Sequence, residues 1–265
     1  MKIDSTPLND NRMRSNLLES NELMKKLASG KRINSAADDA AGLQIIDRLT
    51  SQFNAADQGI RNLYDGISLA QTADGTLAGV SDSLRQLQSL NVQAGNGIYN
   101  ADDLAALQDQ ANQLGQGIND QLSRSSFAGQ KLFDGGNQFN FVSGAGNVAL
   151  ETADLTAQFN STGLNNIDVQ SASGRANLQS SLENFSKLVQ DNRASLGAGI
   201  NSFTSSINSQ QTQAVNLAAS RSRIEDLDYA KASSDKAASD VLQQSSLAVR
   251  AQSRISAERA LQLLG

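Results

Sequence analysis

The sequence predicts a mainly α protein: an elongated antiparallel helical bundle, coiled-coil in character, with a small β-hairpin region. Three observations lead there. From Leu178 to Asp228 apolar residues recur every third or fourth position, at Leu178, Leu182, Phe185, Val189, Leu196, Phe203, Ile207, Ala214, Leu217 and Ile224. That spacing places one seam on one face of a helix. Pro7 is the only proline, so nothing breaks the seam. Aromatic residues are 4% with no Trp, which suits a thin, extended core better than a compact one. A helix over this stretch would run about 75 Å at ~1.5 Å per residue, and it needs partners of similar length.

The partners follow from the rest of the chain. Helix one begins near Pro7, since proline is tolerated at a helix start. Its apolar positions are Met13, Leu17, Met24 and Leu27, with Ser20 as the weak step. It ends at Ser29-Gly30, where glycine suits the left-handed position after a helix. Residues 31–42 are small and polar. Asn34 or Ser35 is placed to cap a following turn, with Asp38 and Asp39 near its positive end. A long pattern then runs from Leu43 to about Val92, with Gly59, Gly66, Gly75 and Gly79 inside it. Those glycines imply close helix approach or bends. Gly95 to Asn100 reads as a turn, and Asp102-Asp103 opens a helix through Leu122.

At Phe127 the character changes. Asn137 to Ser143 alternates in part, with Phe139 and Phe141 on one face, and Gly144-Ala145-Gly146-Asn147 then Val148-Ala149-Leu150 complete a β-hairpin pattern. Residues 151–177 read as polar loop with a short strand at Ile167-Asp168-Val169. Ala219 to Ala230 mixes charges densely, and its acidic residues are expected to be solvated or ion-paired. The last helix, Ala232 to about Leu264, carries Val241, Ala248 and Ile255 seven apart. The two ends mirror one another, each a marginal amphipathic helix that would be frayed alone and order on assembly.

Composition excludes several functions. The net charge is −5 and the pI about 4.8, which argues against nucleic acid as a partner. No apolar run reaches membrane-spanning length, and no signal peptide is visible. Cysteine and histidine are absent, so no disulfide forms and the commonest bases and metal ligands are missing. Asp38 and Asp39 lack a third ligand. The Gly-x-Gly steps at 115–117 and 197–199 fall inside helical patterns. The expectation is no enzyme, no cofactor, no metal and no catalytic residue. Charged residues are only 18%, and Gln, Asn, Ser and Ala faces bury against neighbours at less cost than charges.

Several motifs resemble bacterial flagellin. They are Leu27 through Gly42 (LASGKRINSAADDAAG), Asp65-Gly66-Ile67-Ser68 with Ala70 through Gly75, Phe127-Ala128-Gly129-Gln130-Lys131-Leu132, and Leu217 through Ala230. Flagellins usually have Phe-Asn-Gly where this chain has Phe127-Ala128-Gly129. The resemblance covers residues 8–136 and 178–265. The opening Met1 to Pro7 lacks the family's usual first residues, which leaves the innermost layer less defined.

The resemblance implies a structural subunit that polymerises into the flagellar filament for motility, a helical homopolymer outside the cell. The inner-layer domain would be 1–33 with 232–265. The rod domain would be 34–231, with linkers 34–42 and 219–231 and the hairpin-containing insert 127–177. Assembly seams would include Met13, Leu17, Met24, Leu27, Val241, Ala248 and Ile255. Linker residues would include Arg32, Asn34, Asp38, Asp39, Arg221, Arg223 and Asp226. Only residues 137–177 stand where outer domains normally sit, so a minimal form is expected. Export through the flagellar secretion channel, an export chaperone, and cap and junction proteins are implied as partners. Many flagellins recognised by the innate receptor TLR5 carry Arg and Glu at positions corresponding to Gln86 and Gln110, with a Leu retained as Leu90, so weak or no activation is expected. A hook–filament junction protein is the alternative in the same architecture, and a cytoplasmic coiled-coil signalling module the alternative of another class.

Overall fold

The fold is given by a computed structural model that describes residues 6–144 and 146–264. Met1 to Ser5, in the unusual opening, lie outside the described residues. The helices are α1 (Thr6–Ser29), α2 (Ala40–Ala94), α3 (Ala101–Arg124), α4 (Leu155–Ser161), α5 (Ala172–Glu225) and α6 (Tyr229–Leu264). The strands are β1 (Ser126–Phe127), β2 (Gln130–Lys131), β3 (Gln138–Ser143) and β4 (Gly146–Glu151). β1 pairs with β2 and β3 with β4, each as a separate antiparallel hairpin. The chain divides into two compact units, residues 1–53 with 215–265, and residues 54–214; α2 and α5 each contribute to both.

In the second unit α2, α3 and α5 enclose one core. Phe133, Phe159, Phe185, Phe203, Leu63, Leu77 and Ile118 are fully buried. Phe141 meets Phe203 edge-on at 5.3 Å between ring centroids, and Phe159 meets Phe185 at 5.4 Å, the tilted geometry aromatic quadrupoles favour. The antiparallel run of α2 and α5 is visible in its cross-links. Asn91 Nδ2 donates to the Arg175 carbonyl at 3.0 Å, and the Arg193 guanidinium pairs with Asp74 at 2.7 Å. The ion pair raises the Arg193 pKa, first through its hydrogen bond to Asp74. Both side chains are 40% exposed, so the pair fixes register more than it stabilises.

The interior glycines do not break α2, which is one continuous helix of 55 residues. At Gly59, Gly66 and Gly79 packing overrides the poor propensity, because each lets another part of the chain come close, whereas Gly75 faces open space. At Gly59 a Cβ would collide with the backbone nitrogen of Gly144 at the β3–β4 turn, and a Cβ on Gly144 would lie 2.9 Å from the Ala56 Cα. The turn is therefore seated backbone against helix. Asn62 Nδ2 holds it by donating to the Val142 carbonyl at 2.9 Å, and the Gly144 N–H donates to Gln210 Oε1 at 3.3 Å.

Three local expectations are corrected. Ile167 to Val169 is not a strand. Both apolar side chains are buried, but the Gln108 side chain satisfies the backbone in place of a neighbouring strand. Its amide nitrogen donates to the Ile167 carbonyl at 2.5 Å and its oxygen accepts from the Val169 N–H at 2.9 Å. The region read as loop also contains α4, capped by Asp154 Oδ1 on the Ala157 N–H at 2.8 Å and anchored by buried Leu155 and Phe159. The last helix starts at Tyr229 rather than Ala232, because Asp228 caps it by accepting from the Lys231 N–H at 3.0 Å.

Candidate assembly surface

In the first unit α1 pairs with α6, and the pairing runs through an unexpected row of residues. Among the described side chains, the α1 positions shielded from solvent are Met13, Asn16, Ser20, Leu23 and Leu27, with Lys26 beside them. On α6 they are Ala232, Lys236, Ser239, Gln243, Ser246 and Arg250, with Asp240 beside them. Both rows keep the four-and-three spacing of a helix face. The α6 row holds no large apolar side chain. Arg250 Nη1 reaches Met13 Sδ at 3.6 Å, beside a cleft of about 260 Å³.

The apolar side chains lie elsewhere. Leu17, Leu18 and Met24 on α1 are exposed, as are Val241, Leu242, Leu247, Val249 and Ile255 on α6. Ala248 is exposed with them. Of the seam residues named from sequence, Met13 and Leu27 thus fall on the shielded row. Leu17, Met24, Val241, Ala248 and Ile255 face solvent. Val241, Ala248 and Ile255, with Leu242 and Val249, form one stripe along α6, since a seven-residue step returns to nearly the same side.

The segments between these helices and α2 and α5 are tied together by backbone and charge. Gly30, at φ 68°, ends α1 in the left-handed conformation expected there. Lys31 and Asp226 form an isolated antiparallel bridge. The Arg32 N–H donates to the Glu225 carbonyl at 2.6 Å, and the Leu227 N–H to the Gly30 carbonyl at 3.0 Å. The Arg32 guanidinium donates twice to the Ile224 carbonyl, at 3.2 and 2.7 Å, satisfying a carbonyl at the C-terminus of α5. Glu225 is buried and pairs with both Lys31 and Arg221, the latter at 3.3 Å. Arg221 also lies 5.9 Å over the Phe53 ring. Asp226 accepts from Ser222, and Arg223 is exposed.

The Asp pair caps rather than ligates. Asp38 Oδ2 accepts the Asn34 N–H at 2.9 Å and the Ser35 N–H at 2.8 Å, and these bonds hold its carboxyl below the ordinary value. Asp39 Oδ1 accepts from the Gly42 N–H at 2.8 Å and so caps α2. Asn34 instead donates through Nδ2 to the Lys31 carbonyl at 3.3 Å. Sequence reasoning missed Glu225, Lys31 and buried Ile33 as connector residues. The four-residue step from Arg221 to Glu225 was the available signal.

In the second unit Gln86 and Gln110 are exposed, whereas Leu90 is only 6% exposed. Among the described residues no group of three or more acidic side chains is placed to hold a metal, and no helix is long and apolar enough to cross a membrane.

Comparison with known proteins accounts for this arrangement. The bacterial flagellin N-terminal helical region matches residues 6–138, and the flagellin C-terminal helical region matches residues 180–264. The chain belongs to the bacterial flagellin family. A flagellin of Halalkalibacterium halodurans is 36% identical over 253 residues, covering 94% of this chain and 93% of that protein. A Bacillus subtilis flagellin is 33% identical over 292 residues, covering 96% and 95%. The crystal structure of Bacillus cereus flagellin shares the fold, with a TM-score of 0.51 and 24% identity over 61% of this chain and 94% of that one. Only residues 139–179 lie between the matched regions, so this is a minimal flagellin without a large outer domain. It is a structural subunit of the flagellar filament.

Proposed function

We propose that the chain polymerises by burying the outward apolar rows of α1 and α6 against neighbouring copies. The observation that carries this reading is the mismatch between the two sides of the pair. The α6 row that faces α1 holds no large apolar side chain, while Leu17, Leu18, Met24, Val241, Leu242, Val249 and Ile255 are exposed. A contiguous apolar surface of this kind marks a place for another molecule to cover. In a polymer of identical subunits the cover is another copy, joined through non-identical patches so that the helix stays open. Residues 1–33 and 232–265 would form the inner layer and 34–231 the rod, with 34–42 and 219–231 as the connection. The test is seeded polymerisation of a chain lacking residues 236–265. The expected result is a soluble, folded protein that adds to no seed. Filaments of normal length would refute the mechanism.

Passage through the flagellar secretion channel, handling by an export chaperone, and contacts with cap and junction proteins belong to the same reading. A junction role or a signalling module is not favoured, because the relatives at 33–36% identity are flagellins. For the innate receptor TLR5 we expect weak activation. Gln86 and Gln110 bring no charge, and Leu90 is largely covered. Restoring charge with Gln86→Arg and Gln110→Glu should raise the signal in a receptor-reporter assay. A strong response from the unaltered chain would contradict this.

A further inference from the structure

We propose that Asn96-Gly97 is a site of spontaneous covalent modification, at which Asn96 loses its side-chain amide nitrogen through a cyclic imide. It is the one place in the sequence where glycine follows asparagine. The pair sits in the turn between α2 and α3, and both residues are exposed.

The hydrogen bonding of this turn singles out the attacking atom. The Gly95 N–H donates to the Val92 carbonyl at 3.1 Å, and the Asn96 N–H to the Gln93 carbonyl at 3.0 Å. The Ile98 N–H donates to Asn96 Oδ1 at 3.4 Å, and the Tyr99 N–H to the Asn96 carbonyl at 3.4 Å. The Gly97 N–H makes no hydrogen bond among the described residues. It is therefore the free nucleophile of the run. Beyond its two chain neighbours nothing lies within 4 Å of where a Cβ on Gly97 would stand, so the space beside that residue is open. The electrophile is prepared as well. The Ile98 N–H points at the oxygen that gains negative charge as the carbon is attacked, the arrangement that lowers the barrier of acyl transfer.

The step balances with water alone. Hydroxide removes the Gly97 N–H proton. The nitrogen bonds to Asn96 Cγ, the bond from Cγ to the amide nitrogen breaks, and that nitrogen leaves as ammonia. Water then opens the five-membered imide at either carbonyl. The products are an aspartyl or an isoaspartyl residue at position 96, each with one new carboxylate. That charge appears between Val92 and Ile98, which are 71% and 79% exposed. It also lies close in sequence to the capping box of Asn100 and Asp103 at the start of α3. The isoaspartyl product adds a backbone carbon to the connection leading into that cap.

The test uses the full chain, folded, in warm and mildly alkaline buffer. It is followed by peptide mass spectrometry beside the Gly97→Ala variant and a free peptide of residues 91–101. Circular dichroism verifies that the variant folds. The expected result is a gain of about one mass unit confined to the peptide holding Asn96, resolved into two products. The Gly97→Ala chain should react about tenfold more slowly, since a Cβ obstructs attack by the adjoining nitrogen. The proposal fails if the folded chain stays unmodified while the free peptide converts. It fails equally if other asparagines, such as Asn160 in α4, convert as fast as Asn96.

Discussion

Replacing Leu242 and Val249 together by serine should cripple polymerisation while leaving the monomer intact. The two residues are 59% and 60% exposed on the outer stripe of α6. Full burial of such a side chain is worth about 2 kcal/mol, and roughly three-fifths of that is still available, or about 1.2 kcal/mol each. If neighbouring subunits cover both, the double change costs about 2.4 kcal/mol per added subunit, roughly a 60-fold rise in critical concentration. The monomer loses little, because surface changes usually stay within about 0.5 kcal/mol. The assay is the protein concentration remaining in solution after seeded growth, read beside a thermal melt of the unpolymerised chain. A critical concentration unchanged from the parent, with the same melt, would refute the reasoning. It would mean that the stripe stays wet in the filament and that another surface drives growth.

Three further outcomes are expected. Ala128 sits at φ 49° in the β1–β2 turn, a left-handed conformation that alanine resists; Ala128→Asn should stabilise the chain by about 0.5–1 kcal/mol in a denaturant melt. Gly59→Ala should destabilise by about 1–3 kcal/mol, because its methyl group meets the backbone of Gly144 rather than a side chain able to move, and exchange protection of the β3–β4 turn should fall. Asp38 has its pKa lowered by the N–H groups of Asn34 and Ser35. Its contribution is fully present above the ordinary carboxylate value, about 4, and is lost as pH falls through the lowered one. Proteolysis within residues 31–39 should rise in that acid window, and an Asp38→Ala chain should be cut readily on both sides of it.

Much of this fold could be read because its elements repeat a period over a long distance. The seam from Leu178 to Ile224 needs no tertiary information, and α5 follows it closely. The β3–β4 hairpin was legible from its alternation around a glycine-rich turn. Short elements were not. α4 offers only Leu155 and Phe159 as a pattern, too little to distinguish a helix from a loop. Ile167 and Val169 look like a strand, and nothing local reveals that Gln108, more than fifty residues earlier, satisfies the backbone between them. The terminal helices show a different limit. On α1 apolar Leu17 lies beside Asn16, and Met24 beside Leu23. A periodic reading accepts either row, and only the folded pair shows which one α6 covers.

That pair is lopsided by the usual standard of a soluble two-stranded coil: α6 brings amides, hydroxyls and charges to the contact and keeps its grease on the outer flank. Its strands should grip one another loosely. Little work is then needed to part them, and each can re-form beside a new neighbour without first breaking a strong attachment. A subunit built this way stays uncommitted in transit and becomes permanent only in company.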